Sequence, residues 1–253
     1  MTGAPPASPR LGRPLVRLDE ATSTNDLARR LAEAGVAEGA VVVASRQTRG
    51  RGRLGRAWAS PPGGVWCSVL LRPAGGSPGL LSLAVGVATA EAVEAAGVPA
   101  ALRWPNDVLV AGRKIAGVLL EAVGTAVVAG IGVNVCVPLE ALPAPVAAAA
   151  TSLHLHARGA VAPEGVLEAL LKRLEHWYGR WAHDPDAVLA AWSSRDALRG
   201  QPVRVTGAEP VVGTAEGIAP DGALIVRELH GRPRTVMAGD VSLAPGRRAL
   251  EGV

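Results

Sequence analysis

The chain has 253 residues, 49% of them hydrophobic, and a formal net charge of +4 at neutral pH. This length accommodates one large hydrophobic core together with a small second domain. The mild basic excess favours acidic ligands but is far short of the concentrated basic face of nucleic-acid-binding proteins, so we expect no nucleic-acid partner.

Cysteine usage and hydropathy indicate the compartment. Cys67 and Cys136 are the only cysteines and are far apart in the sequence. They form neither a disulfide framework nor a metal-ligand spacing, which is typical of a reducing compartment. No uncharged apolar run reaches the roughly 18 residues of a membrane span, and the N-terminus lacks the apolar stretch of a signal peptide. We therefore expect a cytoplasmic protein with no membrane partner and a disordered leader over residues 1–12.

The hydrophobic pattern predicts an α/β domain over residues 13–198. After a first strand near residue 15, further strands are predicted at residues 40–45, 64–73, 101–110, 114–123 and 125–137, the last three forming a meander. Helices are predicted at residues 22–35, 77–97, 163–184 and 185–198, the first of them capped by Thr22, Ser23 or Thr24 and ended by Gly35. Residues 138–152 lack clear periodicity and predict a loop.

From residue 199 the pattern changes to short alternating strands separated by turns. The sequence Pro220-Asp221-Gly222 is a strong hairpin signal. We take residues 199–248 as a small C-terminal β-barrel.

The stretch RQTRGRGRLGRAW contains Gly50, Gly52 and Gly55 in the spacing of a dinucleotide-binding turn. That turn requires a helix directly after the glycines and an acidic residue about 20 positions further on. Here the sequence SPPGG excludes a helix, and no Asp or Glu lies between Glu38 and Glu91. Arginines fill the same interval, so the segment is better suited to binding an anion, although a plain surface loop is the alternative. We expect the loop to be disordered without its ligand.

Two charged positions follow in RWPND and GRKIAG. Asp107 is either the partner of an arginine in a buried ion pair or a proton acceptor in a cleft. Lys114 and Lys172 are the only lysines of the chain. Lys114 is either a turn charge in water or a ligand-binding ammonium at the start of a strand whose small residues admit a ligand.

Three other motifs are rejected because each lacks a group that its chemistry requires. The sequence GGSPG matches a nucleophile elbow, but Pro78 has no N–H for the oxyanion hole. His154 and His156 lack a third metal ligand at useful spacing. No Walker A sequence is present. We expect no serine hydrolase and no P-loop, and no metal ligands can be named.

The segments STN, RQTRGRGRLGRAW, RWPNDVL, GRKIAGVLLE and GIGVNV together resemble the biotin protein ligases in order and spacing. The resemblance covers nearly all of the chain except the leader, and it suggests the monofunctional type without a DNA-binding domain. It implies an α/β (α+β) biotin/lipoate ligase-like catalytic domain with a mixed sheet, followed by an SH3-like β-barrel. It also implies that biotin and ATP, with Mg²⁺, give biotinyl-5′-AMP, and that the biotinyl group passes to a lysine of a biotin carboxyl carrier protein domain. The protein is then a monomer or a homodimer.

The resemblance also assigns residues to roles. The implied catalytic residues are Lys114, Arg53 and Asp107. The implied biotin-binding residues are Ser23, Thr24, Asn25, Gln47, Gly50, Arg51, Gly52, Arg53, Lys114 and Gly117. The implied ATP- and adenylate-binding residues are Arg51, Arg53, Arg56, Trp58, Asn106, Lys114 and Asn134. Arg103 stands where the family commonly has a lysine.

Two other functions are weighed. A lipoate ligase performs the same chemistry on a related fold, but its expected G-G-G-x-V-x-H-D pattern is replaced here by SPPGGVWCS. A nucleic-acid-binding protein would use the basic loop, yet the sequence lacks a basic stripe with interleaved aromatic residues.

Overall fold

The computed structural model describes residues 11–207 and 210–244. The leader predicted for residues 1–12 lies outside this range apart from its last two positions, and so does the predicted end of the barrel at residue 248. The described chain forms a seven-stranded sheet with flanking helices, followed by a five-stranded sheet.

The larger sheet is mixed. Its strands are β1 (Leu15–Ala21), β2 (Val41–Gln47), β3 (Gly64–Leu71), β4 (Ala101–Arg103), β5 (Asp107–Val110), β6 (Arg113–Val123) and β7 (Ala126–Asn134). The spatial order is β1-β2-β3-β7-β6-β5-β4. Only β1 and β2 pair in parallel, with helix α1 crossing between them. The other neighbouring strands pair antiparallel, and short turns join β4 to β5, β5 to β6 and β6 to β7.

Five α-helices cover the two faces of this sheet: α1 (Thr24–Glu33), α2 (Pro78–Glu94), α3 (Ala144–Ala149), α4 (Pro163–His183) and α5 (Pro185–Ser193). Helix α2 is apolar on all sides and is buried by α4, α5 and the sheet. On the opposite face, α1 packs its alanines against β2, β3 and β7. As predicted, α1 stops just before Gly35, whose φ is +76°.

Three sequence expectations are corrected. The segment 101–110 is a hairpin of β4 and β5 and not one strand, since Pro105 has no N–H for the ladder and residues 104–106 turn. The segment 138–152 contains a short helix, α3, favoured by its alanines and by Pro145 in the first turn. Helix α5 ends at Ser193, because the backbone of residues 195–197 bonds to the edge strand β4 at Leu102.

The C-terminal sheet is fully antiparallel, as expected for the predicted small β domain. It comprises β8 (Pro202–Thr206), β9 (Val211–Ile218), β10 (Leu224–Glu228), β11 (Pro233–Val236) and β12 (Asp240–Leu243), in the order β11-β10-β9-β8-β12. The predicted hairpin turn at residues 220–222 joins β9 to β10.

The tip of this hairpin is fixed on the part of the structure that contains the seven-stranded sheet. The indole N–H of Trp104 donates to the carbonyl of Gly222 at 3.0 Å, and the hydroxyl of Ser77 donates to the carbonyl of Asp221 at 2.6 Å. A Cβ atom on Gly222, whose φ is +91°, would lie 2.6 Å from the carbonyl carbon of Gly79. Only glycine allows this close approach, which holds the C-terminal domain beside the 104–106 turn.

No helix within residues 11–207 and 210–244 has the length and apolarity needed to cross a membrane.

Candidate active site

A cleft of about 380 Å³ opens where β5, β6 and β7 meet the glycine loop of residues 46–58. This volume is typical of small-molecule sites. Every residue that the sequence assigned to the site lines it except Gly50, the full set being Ser23, Thr24, Asn25, Gln47, Arg51, Gly52, Arg53, Arg56, Trp58, Asn106, Asp107, Lys114, Gly117 and Asn134.

Gly50 is the one assigned residue that does not line the cleft, and its role in binding stays a prediction. A Cβ atom there would lie 2.4 Å from the carbonyl of Trp58 and 2.7 Å from the hydroxyl of Ser60. The N–H of Trp58 donates to the carbonyl of Gly50 at 2.9 Å. Gly50 therefore allows the two arms of the loop to touch, which is a packing role.

The loop itself contains no α-helix. A single 3₁₀ turn, Arg53–Gly55, includes Leu54 at φ +55°, and isolated bridges join Gln47 to Ser60 and Arg51 to Ala57. The expected absence of a helix after the glycines is confirmed, so the dinucleotide interpretation fails in the structure as well. The structure describes the loop in one defined conformation, and its disorder without ligand stays a prediction.

One end of the cleft is neutral and saturated with hydrogen bonds. We call it the neutral end and define it by Thr24, Asn25, Gln47, Ser60 and Ser68. The Gln47 carbonyl accepts from the Thr24 backbone N–H at 2.8 Å and from its hydroxyl at 3.1 Å, while the Gln47 amide donates to Ser60 Oγ at 2.8 Å. Ser68 Oγ lies 2.8 Å from Thr24 Oγ1 and 2.5 Å from Asn25 Oδ1. These fixed amides and hydroxyls can recognise a small polar group with both donors and acceptors.

The floor between the two ends consists of glycines on β6 and β7. A Cβ atom on Gly130 would lie 2.2 Å from Asn25 Oδ1, and one on Gly132 would lie 2.6 Å from Trp58 Nε1. At Gly117 a Cβ atom would lie 3.1 Å from the Trp58 ring. The G-x-G of GIGVN was the sequence signal for Gly130 and Gly132, which the sequence analysis did not assign to the site.

Trp58 covers this floor. Its ring packs edge-on against Trp66, with 6.3 Å between ring centroids, and Lys114 Nζ lies 5.1 Å from its ring centroid. The buried indole N–H of Trp58 has no hydrogen-bond acceptor among the described residues. A buried donor without a partner is costly, and this nitrogen lies against β7, where a Cβ atom on Gly132 would be 2.6 Å from it.

The other end of the cleft is charged. We call it the cationic end and define it by Arg53, Arg56, Arg103 and Lys114, with the carboxylates that pair with them. Arg103 donates to Asp107 Oδ2 from Nε at 3.2 Å and from Nη2 at 2.6 Å, and Lys114 pairs with Asp107 Oδ1. The sequence left two alternatives for Asp107, the partner of an arginine or a proton acceptor in a cleft. In the structure Asp107 pairs with Arg103 and also lines the cleft.

The C-terminal sheet completes the cationic end. Arg56 pairs with Asp240 at 2.8 Å, and Arg53 donates to the carbonyl of Gly239 at 3.3 Å. Burial lowers the pKa of Arg53 from its usual value, an effect that the nearby Asp240 charge opposes. A half-buried guanidinium with one weak partner is well placed to bind an anion.

Arg51 differs from the other cations of the loop. Its Nη2 lies 2.8 Å from Asp26 Oδ1 and 2.9 Å from Glu121 Oε2. The guanidinium is therefore already paired with two carboxylates at the side of the cleft, whereas the sequence analysis assigned it to ligand oxygens.

Asn106 and Asn134 use their amide N–H groups to hold backbone. Asn106 donates to the Val118 carbonyl at 2.7 Å and Asn134 to the Thr151 carbonyl at 2.9 Å. Their carbonyl oxygens are left to the cleft, which both residues line.

Several lining residues had no recognisable sequence signal. They come from the segment around α3 and from the C-terminal sheet: Leu142, Pro145, Val146, Ala149, Ala150, Asp240 and Val241. These residues reach the cleft through contacts between segments that are far apart in the sequence.

Within residues 11–207 and 210–244, no cluster of three or more His, Cys, Asp or Glu side chains has the geometry of a metal site. His154 and His156 instead bond to neighbouring groups, Ser152 Oγ at 3.0 Å and Thr151 Oγ1 at 2.7 Å respectively.

Comparison with known proteins gives the family. Residues 17–137 match the Biotin/lipoate A/B protein ligase family and residues 199–244 match the Biotin protein ligase C terminal domain. A biotin–[acetyl-CoA-carboxylase] ligase of Paracoccus denitrificans is 38% identical over 223 residues, 83% of this chain and 92% of that protein. One of Mycobacterium tuberculosis is 38% identical over 232 residues, 87% of this chain and 85% of that protein.

The fold agrees with a solved relative. The biotin protein ligase of Aquifex aeolicus in complex with biotin and ATP superposes with a TM-score of 0.82 at 31% identity, covering 92% of this chain and 99% of that one. With both family models matched in this order and relatives 38% identical along most of their length, the chain belongs to the biotin protein ligases of the biotin/lipoate ligase family.

Proposed function

We propose that this protein activates biotin with ATP to biotinyl-5′-AMP and transfers the biotinyl group to a lysine of a biotin carboxyl carrier domain of a biotin-dependent carboxylase. The observation that carries the proposal is the continuous cleft that joins the neutral end to Lys114 and the arginines across a glycine floor. The two ends match the two ends of biotin, a neutral ureido ring and a carboxylate.

The neutral end would bind the ureido group. A ureido group offers one carbonyl acceptor and two N–H donors, and Ser23, Thr24, Asn25 and Gln47 present both donors and acceptors. The apolar tail would lie along the Trp58 ring, which Gly117 and Gly132 allow to pack against β6 and β7 because they add no side-chain volume. This orientation directs the biotin carboxylate towards Lys114.

In the first step the biotin carboxylate attacks the α-phosphorus of ATP, and the bond to the pyrophosphate oxygen breaks. Two anions must approach each other, so fixed cations are the main requirement of the site. Lys114 is the compact charge that can contact carboxylate and α-phosphate together, and Arg53 and Arg56 would bind the phosphates. Trp58 would pack against the adenine.

The donor set of the cleft fits Mg²⁺ that arrives on ATP. Mg²⁺ keeps several waters and needs one or two carboxylates besides phosphate oxygens. Asp107 and Asp240 face the cleft and are the carboxylates that would complete its coordination. The ion would neutralise charge on the departing pyrophosphate.

In the second step a carrier lysine attacks the acyl carbon of biotinyl-5′-AMP, an amide forms and AMP leaves. The attacking ammonium must first lose a proton, since its usual pKa is near 10.4. Asp107 would accept a hydrogen bond from this amine and orient it, held in place by Arg103. Arg103 would keep the local positive charge that the family's lysine supplies.

Related expectations belong to the same proposal: a cytoplasmic protein, monomeric or homodimeric, without a nucleic-acid partner. Lipoate activation is the competing function, because the family includes lipoate ligases. The absence of the lipoate-ligase His-Asp pattern in SPPGGVWCS favours biotin.

The test is ATP–pyrophosphate exchange with biotin and with lipoate in parallel, followed by transfer to a purified carrier domain. We expect exchange with biotin, no exchange with lipoate, and one biotin per carrier domain by mass spectrometry. Exchange with lipoate alone would overturn the assignment. DNA binding at physiological salt without biotin-dependent exchange would favour the nucleic-acid alternative.

A further inference from the structure

Arg103, on β4, uses only part of its guanidinium within the protein. Its Nε and Nη2 both donate to Asp107 Oδ2, at 3.2 Å and 2.6 Å. Within residues 11–207 and 210–244, its Nη1 donates to no acceptor. The Arg103 side chain is 35% exposed, and the residue lines the cleft. A guanidinium presents donors on more than one edge, so Nη1 is left for a ligand.

Arg103 lies at the end of a row of register partners that crosses the larger sheet. From β3 through β7, β6 and β5 to β4, the row is formed by Trp66, Gly132, Gly117, Asp107 and Arg103. Partners in such a row point to the same face of the sheet. With neighbouring strands about 4.8 Å apart the row is about 19 Å long, and all of it except Trp66 lines the cleft. Ser68 of the neutral end is on β3, so the neutral end and Arg103 are at opposite ends of the row.

The charges around Asp107 leave an excess of positive charge at the Arg103 end of the row. Lys114 pairs with Oδ1 of Asp107, and Arg103 pairs with Oδ2. Two cations thus share one carboxylate. Burial lowers the pKa of Arg53, and Asp107 is among the charges that oppose this lowering, so a third cation is near. This part of the cationic end can therefore attract an anion that carries several negative charges.

The proposed first step releases such an anion, because pyrophosphate leaves the α-phosphorus of ATP. The attacking and leaving oxygens of a phosphoryl transfer lie roughly in line, on opposite sides of the phosphorus. With the ureido group at the neutral end and the carboxylate at Lys114 on β6, the leaving oxygen would be directed away from the neutral end, towards β5 and β4. Arg103 is a basic residue on that side of the site.

We infer that Arg103 has two roles: it binds the departing pyrophosphate through Nη1, and it holds Asp107 through Nε and Nη2. This inference rests on the proposed function. As the carboxylate oxygen bonds to the α-phosphorus, the bond from that phosphorus to the bridging oxygen breaks, and its electron pair stays on pyrophosphate. Negative charge therefore grows on the leaving group, and a hydrogen bond from a guanidinium strengthens with it. Arg103 is thus a catalytic residue of the first step and a positioning residue for Asp107 in the second.

The test compares Arg103→Lys and Arg103→Met with Arg195→Lys. Arg103→Lys keeps a cation for Asp107 but replaces the planar fork by one compact ammonium. Arg103→Met removes both contacts. Arg195 is the matched control, because its Nε and Nη2 donate to Glu94 at 2.9 Å and 2.8 Å and its carbonyl accepts from the N–H of Leu102 on β4. Arg195 does not line the cleft.

Two reactions of preformed biotinyl-5′-AMP are measured on the full chain. In the reverse of the first step, pyrophosphate attacks the phosphorus and gives ATP and biotin, which yields the KM of magnesium pyrophosphate. In the second step the biotinyl group passes to the carrier lysine, and no pyrophosphate takes part. A general disturbance of the site would impair both reactions, whereas a lost contact with pyrophosphate impairs only the first.

In Arg103→Lys we expect the pyrophosphate KM to rise about tenfold, the effect of one hydrogen bond to a charged group, while transfer stays within about twofold of the wild type. In Arg103→Met the pyrophosphate KM should rise by about 10²-fold, and transfer should slow as well because Asp107 loses one of its two partners. Arg195→Lys should leave both reactions unchanged.

A pyrophosphate KM that stays at the wild-type value in Arg103→Lys overturns the inference. Equal losses of the two reactions in Arg103→Lys overturn it as well, since they would show that Arg103 acts through Asp107 alone. A wild type that forms no ATP from biotinyl-5′-AMP and pyrophosphate would instead refute the proposed function.

Discussion

The neutral end and the cationic end of the cleft hold their polar groups in opposite ways. At the neutral end, Thr24 and Asn25 are 3% and 5% exposed and bond to hydroxyls and amides at 2.5–3.1 Å. The one charged partner is Glu121, which accepts from the Asn25 amide at 2.6 Å. At the cationic end the basic side chains are more exposed, reaching 58% for Arg56. Arg56, Arg103 and Lys114 pair with carboxylates of the same cleft, whereas Arg53 donates to a backbone carbonyl.

This difference indicates how each end would respond to a ligand. Buried neutral networks are rigid and costly to leave unsatisfied, so the neutral end is preorganised and discriminates by geometry. Exposed ion pairs contribute little stability, about 0–1 kcal/mol each, so an incoming phosphate can replace Asp240 on Arg56 at small cost. The Asp107 side chain is only 13% exposed, so its pairs with Arg103 and Lys114 are held more firmly. The cationic end is thus open to phosphate mainly through Arg53 and Arg56.

The largest effect is expected from Lys114→Ala. Removing the charge between carboxylate and α-phosphate should slow adenylate formation by about 10²-fold or more, because fixed charge is the main catalytic contribution there. Lys114→Arg should not restore the rate, since a planar fork cannot replace a compact ammonium. Single-turnover pyrophosphate release measures this. A mutant that forms adenylate at near wild-type rate would show that charge is not decisive at this end.

Asp107→Ala should separate the two half-reactions. We expect adenylate formation to fall less than transfer to the carrier lysine, which loses a group that accepts from its amine. Transfer from preformed biotinyl-5′-AMP should drop by about 10²-fold, the lower end of the effect of general bases. Equal losses in both half-reactions would contradict this division of roles.

Ser68→Ala tests the neutral end. Ser68 is fully buried and bonds to two side chains, so its loss leaves Asn25 and Thr24 under-satisfied at a cost of about 1–3 kcal/mol. Biotin Kd should rise by about tenfold or more, with little change in ATP KM. Isothermal titration with biotin gives the first quantity and exchange kinetics the second. Equal-fold increases in biotin Kd and in ATP KM would mean that the neutral end and the cationic end do not bind their ligands independently.

Asp240→Asn should have a smaller effect on the cationic end. The Arg56–Asp240 pair is exposed, so its removal changes stability by less than about 1 kcal/mol. ATP KM should change by a few-fold at most while biotin Kd stays constant. A change in biotin Kd larger than that in ATP KM would contradict the assignment of the C-terminal sheet to the cationic end.

The smallest change is expected from treatment with iodoacetamide, which should leave the buried thiol of Cys67 unmodified. Burial raises the pKa of the Cys67 thiol to about 12. The thiol therefore stays protonated at pH 8, where only the deprotonated form reacts with iodoacetamide. Half-buried Cys136 should be alkylated first, with Cys67 unmodified by peptide mass spectrometry. Rapid labelling of Cys67 would show that the neutral end opens readily to solvent.

Much of the site was predictable because its motifs are local. The glycines and arginines of residues 50–56, the WPND turn and Lys114 lie in short segments whose chemistry is visible without the fold. The same reasoning did not identify the packing role of Gly50, since the contact that requires glycine there is made by the other arm of the loop. It also did not identify Arg51 as a paired residue, because its partners Asp26 and Glu121 are far away in the sequence.

The sequence by itself determined most of the order of helices and strands, the change to short antiparallel strands near residue 199 and most of the residue types that line the cleft. Hydrophobic periodicity and turn residues are local properties, and they specify these features directly. Only the tertiary structure decided which charges neutralise each other. Ion pairs such as Asp107 with Arg103 and Lys114, or Arg56 with Asp240, depend on strand register and on how the C-terminal sheet docks. Both are set by packing between segments far apart in the chain, and a linear pattern does not encode that packing locally.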